Sequence, residues 1–434
     1  MDTTTAGAIA LGLVAVLLVL GMPIGFIFLI AGSLGVFMVS GLTPFLGVIG
    51  GKGYDINASY ELAVIPLFIL MGQLTYFSGI TEGLYRSARA WLGHLKGGLV
   101  MATTVANAAF GACCGSTTAA TAVFGKVAIP EMLRQGIDRR LAAGCVAASG
   151  SLSAIIPPSV LIVVYGILAL ESIAKLLVAG IIPGVIQVLI FSVMVYVRAT
   201  INPRLAPSAP AAPWGERLRS IRGVWGVVVL FVVVMGGIWA GIFTPTEGGG
   251  IGAMGAFLLV VAARKVNRTV FDEAFLETAR TAAAIFIIIT GVRIFTVFLG
   301  LTHIPAQVSA ILVGLPVPPV VIIISFLLLL VALGCLLEPM SMMFLTMPLM
   351  LPIVRELGYN TIWFGILVVT TCEMGMVTPP MGLNCFMLKS VVPELSLGEI
   401  FSGIWWYIAM WVVALAFYLA FPQIILFLPG TMFQ

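Results

Sequence analysis

The fold this sequence predicts is an all-α polytopic membrane protein made of two related halves, each with a re-entrant hairpin and a broken helix. Three observations predict it. Apolar runs of about 20 residues, the length a helix needs to cross a bilayer, recur along the chain. Prolines and glycines repeat at one spacing, 222 residues. Two apolar runs are interrupted by paired prolines, in "SGSLSAIIPPSV" (149–160) and "EMGMVTPPMGLN" (373–384).

Composition narrows the class before any element is placed. The chain is 61% hydrophobic and 9% charged, with a mean hydropathy of +1.18, which excludes a soluble globular protein. The apolar runs lack the alternation of an outer-membrane barrel. The first one (6–20) has no basic segment before it and runs on into more membrane, so no cleavable signal is expected. Cys113, Cys114, Cys145, Cys335, Cys372 and Cys385 form no CxxC pair and read as small core residues. With only His94 and His303 available, a metal-centred enzyme is not expected. An intramembrane protease would need a nucleophile–base pair or paired aspartates, whereas Asp2, Asp55, Asp138 and Asp272 sit near ends or loops. The chain is therefore read as a non-enzyme that does not bind nucleic acid.

The elements follow in order. The first half (1–200) has helices at 6–20, 22–40 and 59–80 within a scaffold portion, 1–96. An apolar stretch at 97–134, with "GACCGST" at its middle, then turns back as a hairpin. An interrupted span at 141–170 and a span at 175–198 complete the half. A linker at 201–222, rich in proline and arginine, reads as a cytoplasmic loop. The second half (223–434) repeats the order with 224–242, 246–263 and 281–300 in its scaffold portion, 223–316. A stretch at 317–351 broken at "GCLLEPMS", the interrupted span 361–389 and a last span at 400–428 follow. A spacing of 222 separates Pro23 from Pro245, Pro130 from Pro352, Gly136 from Gly358, and Pro157-Pro158 from Pro379-Pro380, so duplication is the reading. Segments 80–93 and 268–280 mix charge with apolar residues at helical spacing and are expected as interfacial helices.

Positive charge orients the halves. If both mid-broken stretches re-enter and leave on one side, each half crosses an odd number of times and the halves are inverted. Starting the N-terminus outside leaves Lys52, Lys175 and Arg355 outside and Lys126 and Arg293 within apolar segments. All remaining Lys and Arg residues fall inside. Both termini are then periplasmic if the membrane is a bacterial inner membrane.

A helix broken in lipid exposes polar backbone where each unpaired group costs several kcal/mol, so a ligand or protein must satisfy it. The half-helix 141–155 is roughly 22 Å long, enough to reach the middle of a ~30 Å core. Pro157 and Pro158 remove two donors, leaving carbonyls near Ser153 to Ile156 for a cation and free N–H groups of the next half-helix for an anion. Thr378-Pro379-Pro380 does the same in the second half. Gly111 and Gly115 allow a tight tip, followed by the hydroxyls of Ser116, Thr117, Thr118 and Thr121. Gly334, Glu338 and Ser341 are the counterpart, and hard cations prefer such oxygens. Inverted repeats with discontinuous helices at the midplane describe a secondary transporter. A cation/proton antiporter would share this architecture, with Glu338 or Glu373 as its titrating carboxylate.

"GSTTAATAVFGKVAIPEM", "ASGSLSAIIPPSVLIVVYG", "AGIIPG", "TPTEGG" and "TPPMGLN" resemble the large membrane subunit, DctM type, of the tripartite ATP-independent periplasmic (TRAP) transporters, along essentially the whole chain. The resemblance implies sodium-coupled uptake of an organic acid by an elevator motion, in which hairpins and broken helices slide against a scaffold. It also implies a small membrane subunit, expected here as a separate chain, and a periplasmic substrate-binding protein. Sodium is the coupling ion and no further cofactor is implied. Carried over by position, one sodium site takes Gly111, Gly115, Ser116, Thr117, Ser149, Gly150, Ser153 and Pro157. A second takes Gly334, Glu338, Pro339, Thr371, Gly375, Thr378 and Pro379. The substrate carboxylate falls near Thr118, Pro158, Ser159, Pro380 and Asn384. The family more often has glycine where Ser153 stands, and alanines where Gly248 to Gly250 follow "PTE".

The remaining intramembrane charges have two readings each. Arg293 is a candidate countercharge for the substrate, or a scaffold ion-pair partner of Glu61 or Glu247. Glu373 flanks the second sodium site as a direct or indirect cation partner. Lys126 reads as snorkelling, and Glu247, just after Pro245, as a helix cap.

Overall fold

A computed structural model describes residues 3–52 and 58–432 of the chain, all helix, turn and loop where described. Asp2 and Asp55 lie outside the described residues, as does the side chain of Lys52. Five described helices are long and apolar enough to cross a membrane, or six if the bent pair Trp214–Ile221 and Trp225–Trp239 is one span. Among the shorter apolar helices, Gly98–Cys114, Val160–Ala169, Pro319–Gly334 and Thr361–Gly375 are arms of hairpins or pieces of broken helices, where the chain turns back or spends a crossing as two half-length pieces.

One group of helices forms a framework. Arg268–Thr302 runs along Ile24–Ser40, and Pro245–Ala262 along Val64–Ser78, so each pair joins the two halves. The first pair is close because small residues face the partner: a Cβ on Gly32 would stand 2.7 Å from the Phe295 backbone nitrogen. Thr244 and Glu247 cap Pro245–Ala262 reciprocally, with Glu247 accepting from the Thr244 backbone at 2.8 Å and Thr244 Oγ1 accepting from Glu247 N at 3.2 Å. That is the capping role read for Glu247.

The second group holds the hairpins and broken helices. Gly98–Cys114 ends on Gly115, whose φ of 61° is open to glycine without cost, and Thr117–Arg134 leaves the turn with Ser116 as its cap. Pro319–Gly334 and Pro339–Glu356 form the second hairpin, with Glu338 at the position of Ser116. Each hairpin is followed by a capped half-helix. Asp138 accepts from the N–H groups of Arg140 and Leu141 ahead of Arg139–Ser151. Asn360 does so from Ile362 and Trp363 ahead of Thr361–Gly375. The breaks follow, at 152–159 and 376–382, and both Pro-Pro bonds are cis. Val160–Ala169 and Leu383–Val391 resume the helices. Ser116 with Glu338, Gly136 with Gly358 (both φ 76°) and Asp138 with Asn360 stand at the same 222-residue spacing as the paired prolines.

Four segments differ from the sequence expectation. Residues 268–280 are not a separate interfacial helix but the start of the continuous Arg268–Thr302 helix. No glycine or proline occurs between Arg268 and Thr290, and a change of polarity alone does not stop a helix. The amphipathic helix Ile80–Leu92 instead has its positional counterpart in Ile304–Val313; both begin directly after a residue with positive φ, Gly79 and His303. The linker is not all loop: beyond Pro213 it forms Trp214–Ile221, which packs on Ile80–Leu92 through Trp91 against Trp214 and Ser220 against Ser87. The last span ends at Ala420, because Pro422 starts a separate helix, Pro422–Gly430.

Candidate functional site

The two hairpin tips meet the two breaks at the centre of the second group. A cavity of about 300 Å³ opens between them. Ser116, Thr117 and Thr118 line it from the first tip, and Glu338, Pro339 and Met340 from the second. Ala154, Val160 and Leu161 come from the first break, and Glu373 and Met376 from the second. Ile69, Gln73 and Thr281 of the framework close the remaining side. The Thr117 hydroxyl reaches Met376 Sδ at 3.5 Å, so the first tip touches the second break.

Behind the cavity each tip is pressed onto its own break. A Cβ on Gly111 would lie 2.7 Å from Ser153 Cα, and a Cβ on Gly334 would lie 2.8 Å from Gly375 Cα. No side chain fits at either place, so backbone lies on backbone in both halves. The prolines decide which carbonyls are left over. Pro157 and Pro158 have no N–H to give to the carbonyls of Ser153 and Ala154. Ala154 O takes the Ser159 hydroxyl instead. Among the described residues no hydrogen bond replaces the missing one at Ser153 O. In the second break Gly375 O accepts from Thr378 N at 3.0 Å and Met376 O from Asn384 N at 3.2 Å. Hydroxyls crowd both places: Ser153 donates to Gly150 O, Ser149 accepts from Asn107 Nδ2 at 2.8 Å, Thr371 donates to Leu367 O at 2.7 Å, and Thr378 to Met374 O at 2.6 Å.

The structure brings some predicted residues together and separates others. Gly111, Gly115, Ser116, Thr117, Ser149, Gly150, Ser153 and Pro157 cluster around the first tip and break, and Gly334, Glu338, Pro339, Thr371, Gly375, Thr378 and Pro379 around the second. Of the residues expected near the substrate, Thr118 lines the cavity. Ser159 is buried and caps Val160–Ala169, accepting from Ile162 N at 3.3 Å. Pro158 is buried and Pro380 exposed, and neither lines the cavity. Asn384 is fully buried and donates to Ser151 Oγ at 2.8 Å.

Arg293 lies elsewhere. It faces a separate cavity of about 450 Å³ with Glu61 and Glu171, and its Nη2 donates to Ile167 O at 3.3 Å, near the C-terminus of Val160–Ala169. Among the described residues it forms no ion pair with Glu61 or Glu247; a helix-end carbonyl takes its charge instead. Lys126 is exposed on the outer side of its hairpin arm, where a snorkelling side chain belongs.

Sequence reasoning missed Gln73 and Thr281, since nothing local marks a framework residue that a second group of helices happens to face. It also missed Ser151 and the amide of Asn107, although both lie inside segments it singled out.

The family described as "Tripartite ATP-independent periplasmic transporter, DctM component" matches residues 11–424. The chain is 33% identical to the C4-dicarboxylate TRAP transporter large permease protein DctM of Pseudomonas aeruginosa, over 78% of this chain and 79% of that one. It is 30% identical to the protein of that name from Rhodobacter capsulatus, over 98% and 99% of the two chains. It is 29% identical to the sialic acid TRAP transporter large permease protein SiaM of Vibrio cholerae, over 95% and 96%. Among solved structures, the Alcanivorax borkumensis YdaH transporter matches with a TM-score of 0.65 at 15% identity, covering 88% of each chain. Neisseria gonorrhoeae MtrF matches at 0.60 and 13%, covering 94% of each. The last two likenesses are of fold alone.

Proposed function

This chain belongs to the DctM component family of the tripartite ATP-independent periplasmic transporters, a transporter permease and not an enzyme, and from that premise we propose that it imports an organic acid by sodium symport. The relatives named for C4-dicarboxylates and for sialic acid point to a carboxylate-bearing substrate. A periplasmic binding protein delivers it and a separate small membrane subunit assists, as the tripartite description implies. A relative from Oleidesulfovibrio alaskensis, named as the isethionate permease DctMQ, joins two components in one chain.

The observation that carries the reading is the repeated backbone-on-backbone contact, Gly111 on Ser153 and Gly334 on Gly375, with Ser153 O left without a hydrogen bond among the described residues. Two sodium ions would be held by the residues grouped around these contacts, where carbonyl and hydroxyl oxygens converge, and the substrate carboxylate would sit near Thr118 between the tips. The halves are read as inverted, with both termini periplasmic in a bacterial inner membrane.

The position of the cavity suits an elevator. Thr281, which faces the tips, directly follows Arg280, which charge places on the cytoplasmic side. Arg293, about 18 Å further along the same helix by its rise per residue, meets Ile167 at the far end of the moving group. This arrangement corresponds to the inward end of the stroke.

The test is uptake by vesicles holding this chain and its small subunit, with the binding protein outside. Replacing sodium by potassium is expected to reduce uptake of dicarboxylates or sugar acids at least about tenfold. Undiminished uptake in potassium, or cation flux that needs no organic acid and stops with Glu338→Gln, would replace symport by cation/proton antiport. Arg293→Ala is expected to change the substrate KM by less than about threefold, because its guanidinium lies outside the cavity between the tips. A rise of about tenfold or more (about 1.4 kcal/mol) would return it to the substrate site.

A further inference from the structure

The cavity between the tips offers no cationic side chain to an organic anion among the described residues. Its lining carries two carboxyl groups, Glu338 and Glu373, and no Lys, Arg or His. A negatively charged substrate entering it would meet like charge in a low dielectric, an arrangement that costs more than either charge does in water.

Behind Glu373 the chain holds oxygens with nothing to accept. Asn384 Nδ2 donates to Ser151 Oγ at 2.8 Å, and the Glu373 carboxyl lies beside that serine. Among the described residues Glu373 Oε2 and Asn384 Oδ1 have no hydrogen-bond partner, although Glu373 is only 2% exposed and Asn384 0%. Unpartnered buried acceptors of this kind call for an explanation, and one of the two here belongs to an acid.

We propose that Glu373, Asn384 and Ser151 form a third cation site, for sodium, in addition to the two backbone sites and reached from the same cavity. This rests on the sodium-symport reading above. One carboxylate, one amide oxygen and one hydroxyl are hard donors with a single formal charge, the set that suits a monovalent hard cation. The three residues come from both broken helices: Ser151 ends the first half-helix of one, and Glu373 and Asn384 flank the break of the other. The bound ion therefore ties the two together and cancels charge in the cavity before the substrate arrives. Sodium must bind first, and the anion second.

The experiment counts radioactive sodium bound to the reconstituted chain with its small subunit, without substrate. Glu373→Gln is expected to lower the count by one, from three to two. Asn384→Ala and Ser151→Ala are expected to weaken one of the ions by about 10- to 100-fold. Equal counts in the wild type and Glu373→Gln overturn the site and leave the two backbone sites standing. A fall from one to none keeps this site and overturns the backbone pair. Thermal melting establishes that each variant is folded. Should Glu373→Gln not fold, the sodium titration of Asn384→Ala decides, and an unchanged titration overturns the site.

Discussion

Gly375→Val is expected to reduce sodium-driven uptake by at least about 100-fold while leaving the protein folded in the membrane. A Cβ at this position would stand 2.7 Å from Gly334 Cα, and both partners are backbone, so no flexible side-chain end can move aside. The two segments must part. Overpacking of this kind costs about 1–3 kcal/mol, which corresponds to about 5- to 150-fold in an equilibrium. If an ion binds there as proposed, its coordination adds to that cost, since ligand distances tolerate about 0.2 Å. The measurement is the sodium dependence of uptake beside the amount and melting temperature of the purified variant. Near-normal sodium activation would mean that the close contact of Gly334 and Gly375 holds the fold and not an ion.

Gly72→Leu is expected to lower uptake by about 10- to 100-fold for a different reason. Gly72 belongs to the framework helix Val64–Ser78, and a Cβ there would overlap the Cys114 carbonyl at the tip of the first hairpin. If the tips slide past the framework, a leucine bars the position seen in the structure and holds the moving group at the other end of its stroke. A reporter cysteine at Thr118 should then react more from the periplasmic side and less from the cytoplasmic side. If the tips are fixed against the framework, the same substitution costs stability by overpacking and leaves the side of labelling unchanged. Lost stability with unshifted labelling would therefore count against the elevator.

The legible parts of the fold were those fixed by local chemistry. The double prolines at 157–158 and 379–380 mark real interruptions, because a proline nitrogen has no hydrogen to give and the residue before it resists helical geometry. Glu247, read as a cap from its place just after Pro245, does cap Pro245–Ala262, together with Thr244; the caps at Asp138, Ser159 and Asn360 were not read. Where local chemistry was silent, the reading failed. The polar first turns of Arg268–Thr302 look like a surface helix, yet nothing in them ends a helix, and the chain runs straight through. In the linker the prolines cease at Pro213, and the helix begins at the next residue.

The candidate site divides along the same line. Ser116, Thr117, Thr118 and Glu338 follow directly from being tip residues, since a tight turn fixes where its neighbours point. Asn384 and Arg293 did not follow. Asn384 lies two residues beyond Gly382 in a segment that suggested substrate contact, but the packing of one broken helix on the other turns it toward Ser151. Arg293 lies at membrane depth, where a charge invites a functional reading, and the framework sets it against the carbonyl of Ile167 instead.

By itself the sequence determined that this protein crosses a membrane as helices, that two of them break at paired prolines, and that prolines and glycines recur at a spacing of 222 residues. Apolar length, missing donors and capping side chains act within a few residues, so they can be read without a partner in view. The tertiary structure alone decided that Gly334 lies on Gly375, that Asn384 of one broken helix bonds Ser151 of the other, and that Arg293 is outside the cavity between the tips. Those relations depend on which helix face meets which. That is set by the packing of all the helices together, and no single stretch of chain contains it.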